Sequence, residues 1–230
     1  IRESGNGIPD LIDEARNEVD FFLSIRDGEA YSQGVTNPST EWTIMFQAGC
    51  TTMAAWANAA NCAMLAEAFR IHGDEGLCSY YTEEAAKAYR YAEKQEWTQL
   101  DDLQNIGTSG MRGRDFKQMA AAFLYNLTGE RSWEDVMAQE SVVKDGKSPV
   151  FSKQGRNQFY QIWGTAAYLT CPHERHYPEL YSNMKSSVNH QADENNVNHM
   201  YARPSRRTAN DPRWQTSQNL QMVMLAHYIA

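Results

Sequence analysis

The sequence is short of basic residues and has no long apolar run. Its 230 residues hold 21 Lys and Arg against 29 Asp and Glu, which gives a net charge of −8 and a pI near 5.3. A protein that binds the phosphate backbone of nucleic acid usually carries the opposite balance, so we predict no nucleic-acid partner. No apolar run approaches the ~18 residues that a membrane-spanning helix requires, so we predict no membrane partner either.

The common metal and nucleophile motifs are also missing. The four cysteines, at positions 50, 62, 78 and 171, form no CxxC pair, and no HExxH, P-loop or GxSxG pattern is present. The first two thiols fall in an alanine-rich stretch and are predicted to be buried and free. Asp101 with Asp102, and the His-Glu-Arg-His segment 173–176, are interpreted as solvated loops because neither has the spacing of a catalytic or metal site.

Strand-type alternation is absent, and glycines and prolines separate stretches with helical periodicity. Gly73 and Gly129 follow two such stretches, where left-handed C-terminal caps are expected. Tight turns alternate with long polar loops, which is typical of stacked helical hairpins, either closed into a toroid or open as a solenoid. The predicted fold class is therefore all-α, with helices over 9–23, 42–70, 82–95, 115–127, 157–170, 178–188 and 217–230 and a short one beginning at Ser132.

Residues 3–16, with the sequence ESGNGIPDLIDEAR, indicate a loop that leads into a helix. Gly5 and Gly7 permit left-handed backbone conformations, and Pro9 suits the first helical position. The apolar residues that follow recur at spacings of three and four, so one face of the helix is predicted to be buried. That face consists of Ile8, Leu11, Ile12, Ala15, Val19, Phe22 and Leu23.

The same run resembles a signature of glycoside hydrolase family 9, the family of inverting cellulases and related exo-acting glycosidases. Three further stretches resemble family helices and occur in the family's order: Ser39-Thr40-Glu41 before the alanine-rich helix, the helix from Asp115 that ends in LYNLTGE, and the NLQMVMLAHY helix from Asn219. The resemblance implies helical hairpins that form part of a six-hairpin α/α toroid. It also implies an oligosaccharide or polysaccharide substrate with β-linked sugars, hydrolysed by inversion.

Both catalytic motifs of that family are absent from these residues. The family's base comes from an Asp-Ala-Gly-Asp motif expected before residue 1, and its acid comes from an Asn-Glu context expected after residue 230. We therefore expect residues 1–230 to be a single, incomplete family-9 catalytic domain without hydrolase activity of its own. A non-catalytic carbohydrate-binding or helical scaffold protein is the alternative, because inversion requires two carboxyl groups that flank the sugar.

Aromatic residues and an arginine–aspartate pair are the candidate substrate contacts. Sugars pack their C–H faces on aromatic rings and pair their hydroxyls with polar side chains. Trp97 is the first candidate, because its loop resembles the family's aromatic substrate-contacting segment. The other candidates are Trp42, Trp214, Arg112 and Asp115.

The resemblance also raises calcium as a cofactor, and the sequence departs from the family pattern there. Family members bind calcium through Ser-Gly followed by Asp-Glu. Ser109, Gly110 and Asp115 are present, but two extra residues intervene and Phe116 replaces the glutamate. We therefore predict no metal site and no cofactor. The resemblance favours a secreted or periplasmic protein, with a cytoplasmic one left open, and the GNGIPD form favours the exo-acting or glucosamine-cleaving branch.

Overall fold

The computed structural model describes residues 5–37, 41, 43–96, 111–152, 159–196 and 212–230, with the backbone alone for 194–196 and 212–219. Within these residues the chain is predominantly helical, which confirms the predicted fold class. The helices described are α1 (Asp10–Ser24), α2 (Thr52–His72), α3 (Glu75–Lys94), α4 (Gly113–Thr128), α5 (Arg131–Glu140), α6 (Ile162–Leu169), α7 (Pro178–Asn196) and α8 (Pro212–Ile229).

These helices lie in two rows. In the first row α4 packs against α2 and α6, and α6 also contacts α8. In the second row α1 packs on α2, α3 on α2 and α4, α5 on α4, and α7 on α6 and α8. Two-residue turns join α2 to α3 and α4 to α5, so consecutive helices run antiparallel as hairpins. The predicted stacking of helical hairpins is confirmed.

Small residues let the two rows approach closely, and aromatic residues fill the space between them. The interior face of α2 is largely alanine, and Trp56 and Phe69 on that face are fully buried. The Trp56 ring meets the Tyr89 ring edge-on with centroids 4.9 Å apart, and Tyr89 in turn meets Trp133 at 4.8 Å. Full burial of one such side chain stabilises the fold by about 1.5–3 kcal/mol. None of the helices in the described part of the chain is long and apolar enough to cross a membrane.

Capping groups explain where α2 and α3 begin, and here two predicted starts are wrong. The Thr51 hydroxyl accepts a hydrogen bond from the Ala54 N–H at 3.1 Å, so α2 begins at Thr52 rather than at residue 42. The Asp74 carboxylate accepts from the Leu77 N–H at 2.9 Å and starts α3 seven residues before the predicted cap, Thr82. That threonine lies inside the helix. Because its hydroxyl donates to a carbonyl one turn back, it caps nothing.

Two short antiparallel ladders, which the sequence did not predict, lie in the long connections. Strand β1 (Val35–Thr36) pairs with β2 (Phe46–Gln47), and β3 (Phe151–Ser152) pairs with β4 (Phe159–Tyr160). Two residues per strand are too few to show alternation, so periodicity does not reveal them. The first ladder occupies part of the predicted helix 42–70, and the second delays α6 from the predicted residue 157 to Ile162.

The glycine predictions are confirmed, and details of the first helix are corrected. Gly73 and Gly129 end α2 and α4 with φ of 92° and 70°, in the left-handed region. Leu11 was predicted to be buried but is 84% exposed. Pro9 precedes the first helical residue and its carbonyl accepts the first turn's N–H groups. Cys50 is exposed ahead of α2, whereas Cys62 within α2 is buried as predicted.

Candidate functional site

The N-terminal ends of α2, α4 and α6 meet at one end of the two rows of helices. Phe116, in the first turn of α4, lines the same cavity as the first turn of α2, and the Lys117 Nζ atom lies 5.6 Å from the centroid of the Trp56 ring. The Tyr160 N–H, just before α6, donates to the Asp115 carboxylate at 3.0 Å. We call this the long-loop end, because the longest stretches of sequence between described helices, residues 25–51, 95–112 and 141–161, immediately precede these helix starts. Long loops on a rigid scaffold commonly carry binding groups.

Asp115 lies at the long-loop end with its carboxylate fully buried, at 0% exposure. The Arg112 guanidinium donates hydrogen bonds to both carboxylate oxygens, with Nη2 2.8 Å from Oδ1 and Nε 3.1 Å from Oδ2. The side-chain amide of Gln161 donates to Oδ1 at 3.2 Å. Arg112 is itself only 17% exposed, with its Cζ atom 5.7 Å from the centroid of the Phe159 ring. The structure thus brings two predicted site residues together, and the carboxylate is held away from solvent.

The structure does not describe the side chains of the other three predicted substrate contacts. Trp42 and Trp97 lie outside the described residues. Trp214 falls in the first turn of α8, where the backbone alone is described. A substrate contact by any of the three, or by Arg112 and Asp115, therefore stays a prediction.

A cavity of about 270 Å³ lies beside the start of α2, between the second half of α1 and the start of α4. Its lining combines two phenyl rings with side-chain amides and a hydroxyl. The Asn58 amide donates to the Ala54 carbonyl at 2.8 Å, which orients it, while Asn61, one turn on, is exposed. The lining residues are Phe22, Ser32, Gln33, Met53, Ala54, Ala57, Asn58, Asn61 and Phe116.

Sequence reasoning missed this cavity, although one signal points to it. Asn58 and Asn61 are polar residues three positions apart in the otherwise apolar stretch AAWANAANCAML. On a helix that spacing places both side chains on one face. Gln33 and Phe116 join them only through tertiary packing, which no local pattern reveals. Flat apolar rings beside amide groups are the combination that a sugar ring recognises.

Two other concavities have charged linings. A groove of about 640 Å³ runs along α1 and is lined by that helix alone, chiefly by its carboxylates and Arg16. A pocket of about 280 Å³ beside α3 carries four cationic side chains and two tyrosines. Arg26 and Lys87 in that pocket both bind the buried carboxylate of Glu84 at 2.7 Å, so much of its positive charge is compensated internally. Neither lining pairs aromatic faces with neutral amides.

The segment 173–176 is an exposed to half-buried connection, as predicted, but its side chains make fixed contacts with the helices beside it. The fully buried Glu134 carboxylate accepts from the His176 Nδ1–H at 2.6 Å and from the His176 N–H at 2.8 Å. The Arg175 guanidinium donates to the carbonyls of Leu169 and Cys171 at 3.1 and 2.9 Å. These contacts fasten the connection between α6 and α7 to α5. The sequence did not predict these contacts, because Glu134 is some forty residues away.

Three of the four thiols are shielded, and no metal cluster is found among the described residues. Burial raises the pKa of the Cys62 thiol to about 12, and burial is also the main cause that raises the pKa values of Cys78 and Cys171. These thiols therefore stay protonated near neutral pH and are poor nucleophiles. Within the described ranges, no three His, Cys, Asp or Glu side chains are grouped so as to hold a metal ion.

A scan against protein-family models finds no match to the chain, and neither does a search of curated proteins. Solved structures do match. A metagenome-derived glycoside hydrolase family 9 endoglucanase has a TM-score of 0.74 and 20% identity, over 100% of this chain and 44% of that one. A thermostable endoglucanase from Alicyclobacillus acidocaldarius has a TM-score of 0.67 and 17% identity, over 99% and 47%. A Bacteroides ovatus family 9 protein has a TM-score of 0.63 and 20% identity, over 84% and 39%.

These likenesses establish the fold. The chain has the helical-hairpin architecture of part of the family 9 domain, as the resemblance in its sequence implied. It spans less than half the length of each of these structures.

Proposed function

We propose that this chain belongs to a carbohydrate-active protein of the glycoside hydrolase family 9 type, which hydrolyses β-linked sugars by inversion. The observation that carries the proposal is the fold shared with family 9 endoglucanases over 99–100% of the chain. Fold alone does not imply activity. The amide- and phenyl-lined cavity at the long-loop end supplies a second, local reason to propose a sugar ligand.

The chemical step itself is not assigned to the described residues. Inversion places a general acid on one face of the sugar and a general base, which activates water, on the other, with the two carboxyl groups ~6.5–9.5 Å apart. Asp115 is the carboxylate predicted at the long-loop end, but guanidinium and N–H donors occupy both of its oxygens. The family's acid and base motifs are absent from these 230 residues.

The proposed ligand is a neutral sugar ring in the cavity. The Phe22 and Phe116 rings offer apolar faces, and the Asn58, Asn61 and Gln33 amides offer both donors and acceptors. Because the cavity is lined by neutral groups, we expect neutral gluco-oligosaccharides to bind better than charged ones. The non-catalytic alternative uses the same cavity for binding without hydrolysis.

A binding experiment tests this directly. Cellopentaose is titrated into the full 230-residue chain by calorimetry, beside a chitosan pentasaccharide that tests the glucosamine-cleaving branch. Asn61→Ala removes one amide and is expected to weaken binding about 3- to 10-fold, the value of one neutral hydrogen bond. Asn17→Ala, which changes an exposed asparagine of α1, is the matched control and should leave affinity unchanged.

Reducing-sugar release separates the two functions. We expect the chain alone to bind without turnover, since the family's catalytic motifs are not in it. Turnover above a mock preparation would overturn that expectation and place the acid and base within these residues. Absence of binding to either oligosaccharide would refute the sugar site.

A further inference from the structure

Among the described residues, the groups that hydrogen-bond to the Asp115 carboxylate are all N–H donors. Oδ1 accepts from the Arg112 Nη2 at 2.8 Å and from the Gln161 Nε2 at 3.2 Å. Oδ2 accepts from the Arg112 Nε at 3.1 Å, the Arg112 backbone N–H at 3.0 Å and the Tyr160 N–H at 3.0 Å. Five N–H groups, two of them on one guanidinium that bridges both oxygens, satisfy a fully buried anion.

This donor set does not fit the calcium ion that the resemblance raised for the start of α4. Calcium takes about six to eight oxygen ligands and needs carboxylate lone pairs directed at it. The described groups that hydrogen-bond to the Asp115 carboxylate are N–H groups, which repel a divalent cation. The Arg112 guanidinium already supplies positive charge at the oxygens that calcium would occupy.

We propose that the Arg112 guanidinium takes the place of a divalent ion at the Asp115 carboxylate. The long-loop end would then form independently of calcium. The guanidinium suits the role, because its planar, charged fork matches both carboxylate oxygens. Its packing over the Phe159 ring, 5.7 Å from the centroid, restricts it further. Arg112 and Asp115 lie three residues apart at the start of one helix, so the pair forms locally.

The hydrogen bonds around Asp115 also hold the ends of two neighbouring helices. Gln161, which donates to Asp115, also donates from its amide to the Glu140 carbonyl at 2.9 Å and accepts from the Val142 N–H at 2.9 Å. The group of Arg112, Asp115, Tyr160 and Gln161 therefore ties the start of α4 to the end of α5 and the start of α6. An ion that bridges loops would have the same mechanical effect.

Calcium dependence of thermal unfolding tests the proposal on the full chain. Tm is measured after dialysis against EDTA and again with excess CaCl₂, and bound calcium is measured by elemental analysis. A calcium site supplied at about 100 times its Kd would raise Tm by about 5–10 °C. We expect the two Tm values to agree within about 1 °C. A Tm that falls in EDTA and recovers with calcium, or one calcium ion per chain, would overturn the proposal.

Two variants test the role of the arginine. Arg112→Gln leaves a buried carboxylate without its cation, and we expect Tm to fall by about 6–20 °C. Arg131→Gln is the matched control, since Arg131 pairs with Asp135 at the start of α5 at 3.7 Å with both side chains exposed. We expect it to change Tm by less than about 2 °C. Equal effects of the two variants would refute the proposal, and if Arg112→Gln does not fold, the calcium measurements on the unaltered chain still decide it.

Discussion

Replacing Tyr168 by phenylalanine removes one hydroxyl and leaves the buried ring in place. That hydroxyl donates to the Glu134 carboxylate at 2.7 Å, and both side chains are fully buried. The same contact raises the pKa of Tyr168, together with the larger effect of its burial. The carboxylate keeps its two hydrogen bonds from His176 in the variant. Tyr168→Phe therefore tests one charged hydrogen bond in the interior.

The size of the effect follows from the charge and the burial. A hydrogen bond to a charged group contributes about 1.5–3 kcal/mol of stability. For a chain of this length each kcal/mol changes Tm by about 2–4 °C. We expect Tyr168→Phe to lower Tm by about 3–12 °C, with no change in helix content at 20 °C by circular dichroism.

Tyr177 provides a closely matched control, because its acceptor Asp135 follows Glu134 in the sequence. The Tyr177 hydroxyl donates to the Asp135 carboxylate at 2.8 Å, but Asp135 is 51% exposed. Water replaces that hydrogen bond, so Tyr177→Phe should cost no more than about 0.5 kcal/mol. Both variants are melted under identical conditions. Equal Tm changes in the two variants, or a neutral Tyr168→Phe, would refute the reasoning that burial sets the value of the bond.

Three further outcomes are expected. In native protein a thiol reagent should modify the exposed Cys50 at once and Cys62 only on unfolding, which mass mapping of the labelled peptides would show. Gly129→Ala should lower Tm more than Gly73→Ala. Both glycines have positive φ, but only the new Cβ at residue 129 would lie 3.2 Å from the His173 ring. Equal decreases in Tm would mean that backbone strain is the whole cause. Burial raises the pKa of the Cys62 thiol from 9.0 to about 12, so the unfolded chain loses this proton at a lower pH than the folded chain. The free energy of unfolding therefore falls as pH rises above 9, by up to ~1.4 kcal/mol per pH unit. Tm measured from pH 8 to 10.5 should therefore fall more steeply in the unaltered chain than in Cys62→Ala, and parallel curves would contradict this.

Much of the fold was predictable because its signals are local. The glycine caps at residues 73 and 129 depend on backbone freedom that the sequence displays directly. The family resemblance in segment 3–16 predicted the hairpin architecture that the solved structures share. Helix starts were harder, since the apolar character of residues 42–50 fits a helix and a short ladder equally well. The side chain of Thr51 decides between them.

The candidate site was predictable only in part, for the same reason. Arg112 and Asp115 lie within one helical turn, and the sequence analysis proposed both. The partners Tyr160 and Gln161 come from a connection some 45 residues further along, which no spacing within α4 reveals. Glu134 was not proposed at all, because a glutamate in an amphipathic helix is ordinarily exposed. Its burial depends on donors from residues 168 and 176.

The two-residue turns also bear on the order in which the chain gains structure. The α2–α3 and α4–α5 hairpins each close across a two-residue turn, so closing each hairpin costs little loop entropy. The bonds from Asp115 to Tyr160 and Gln161 close a far longer loop. Each hairpin is therefore expected to gain protection from hydrogen exchange before the long-loop end does. On this view the part of the molecule proposed to bind a sugar is the last to be assembled and, on unfolding, the first to open.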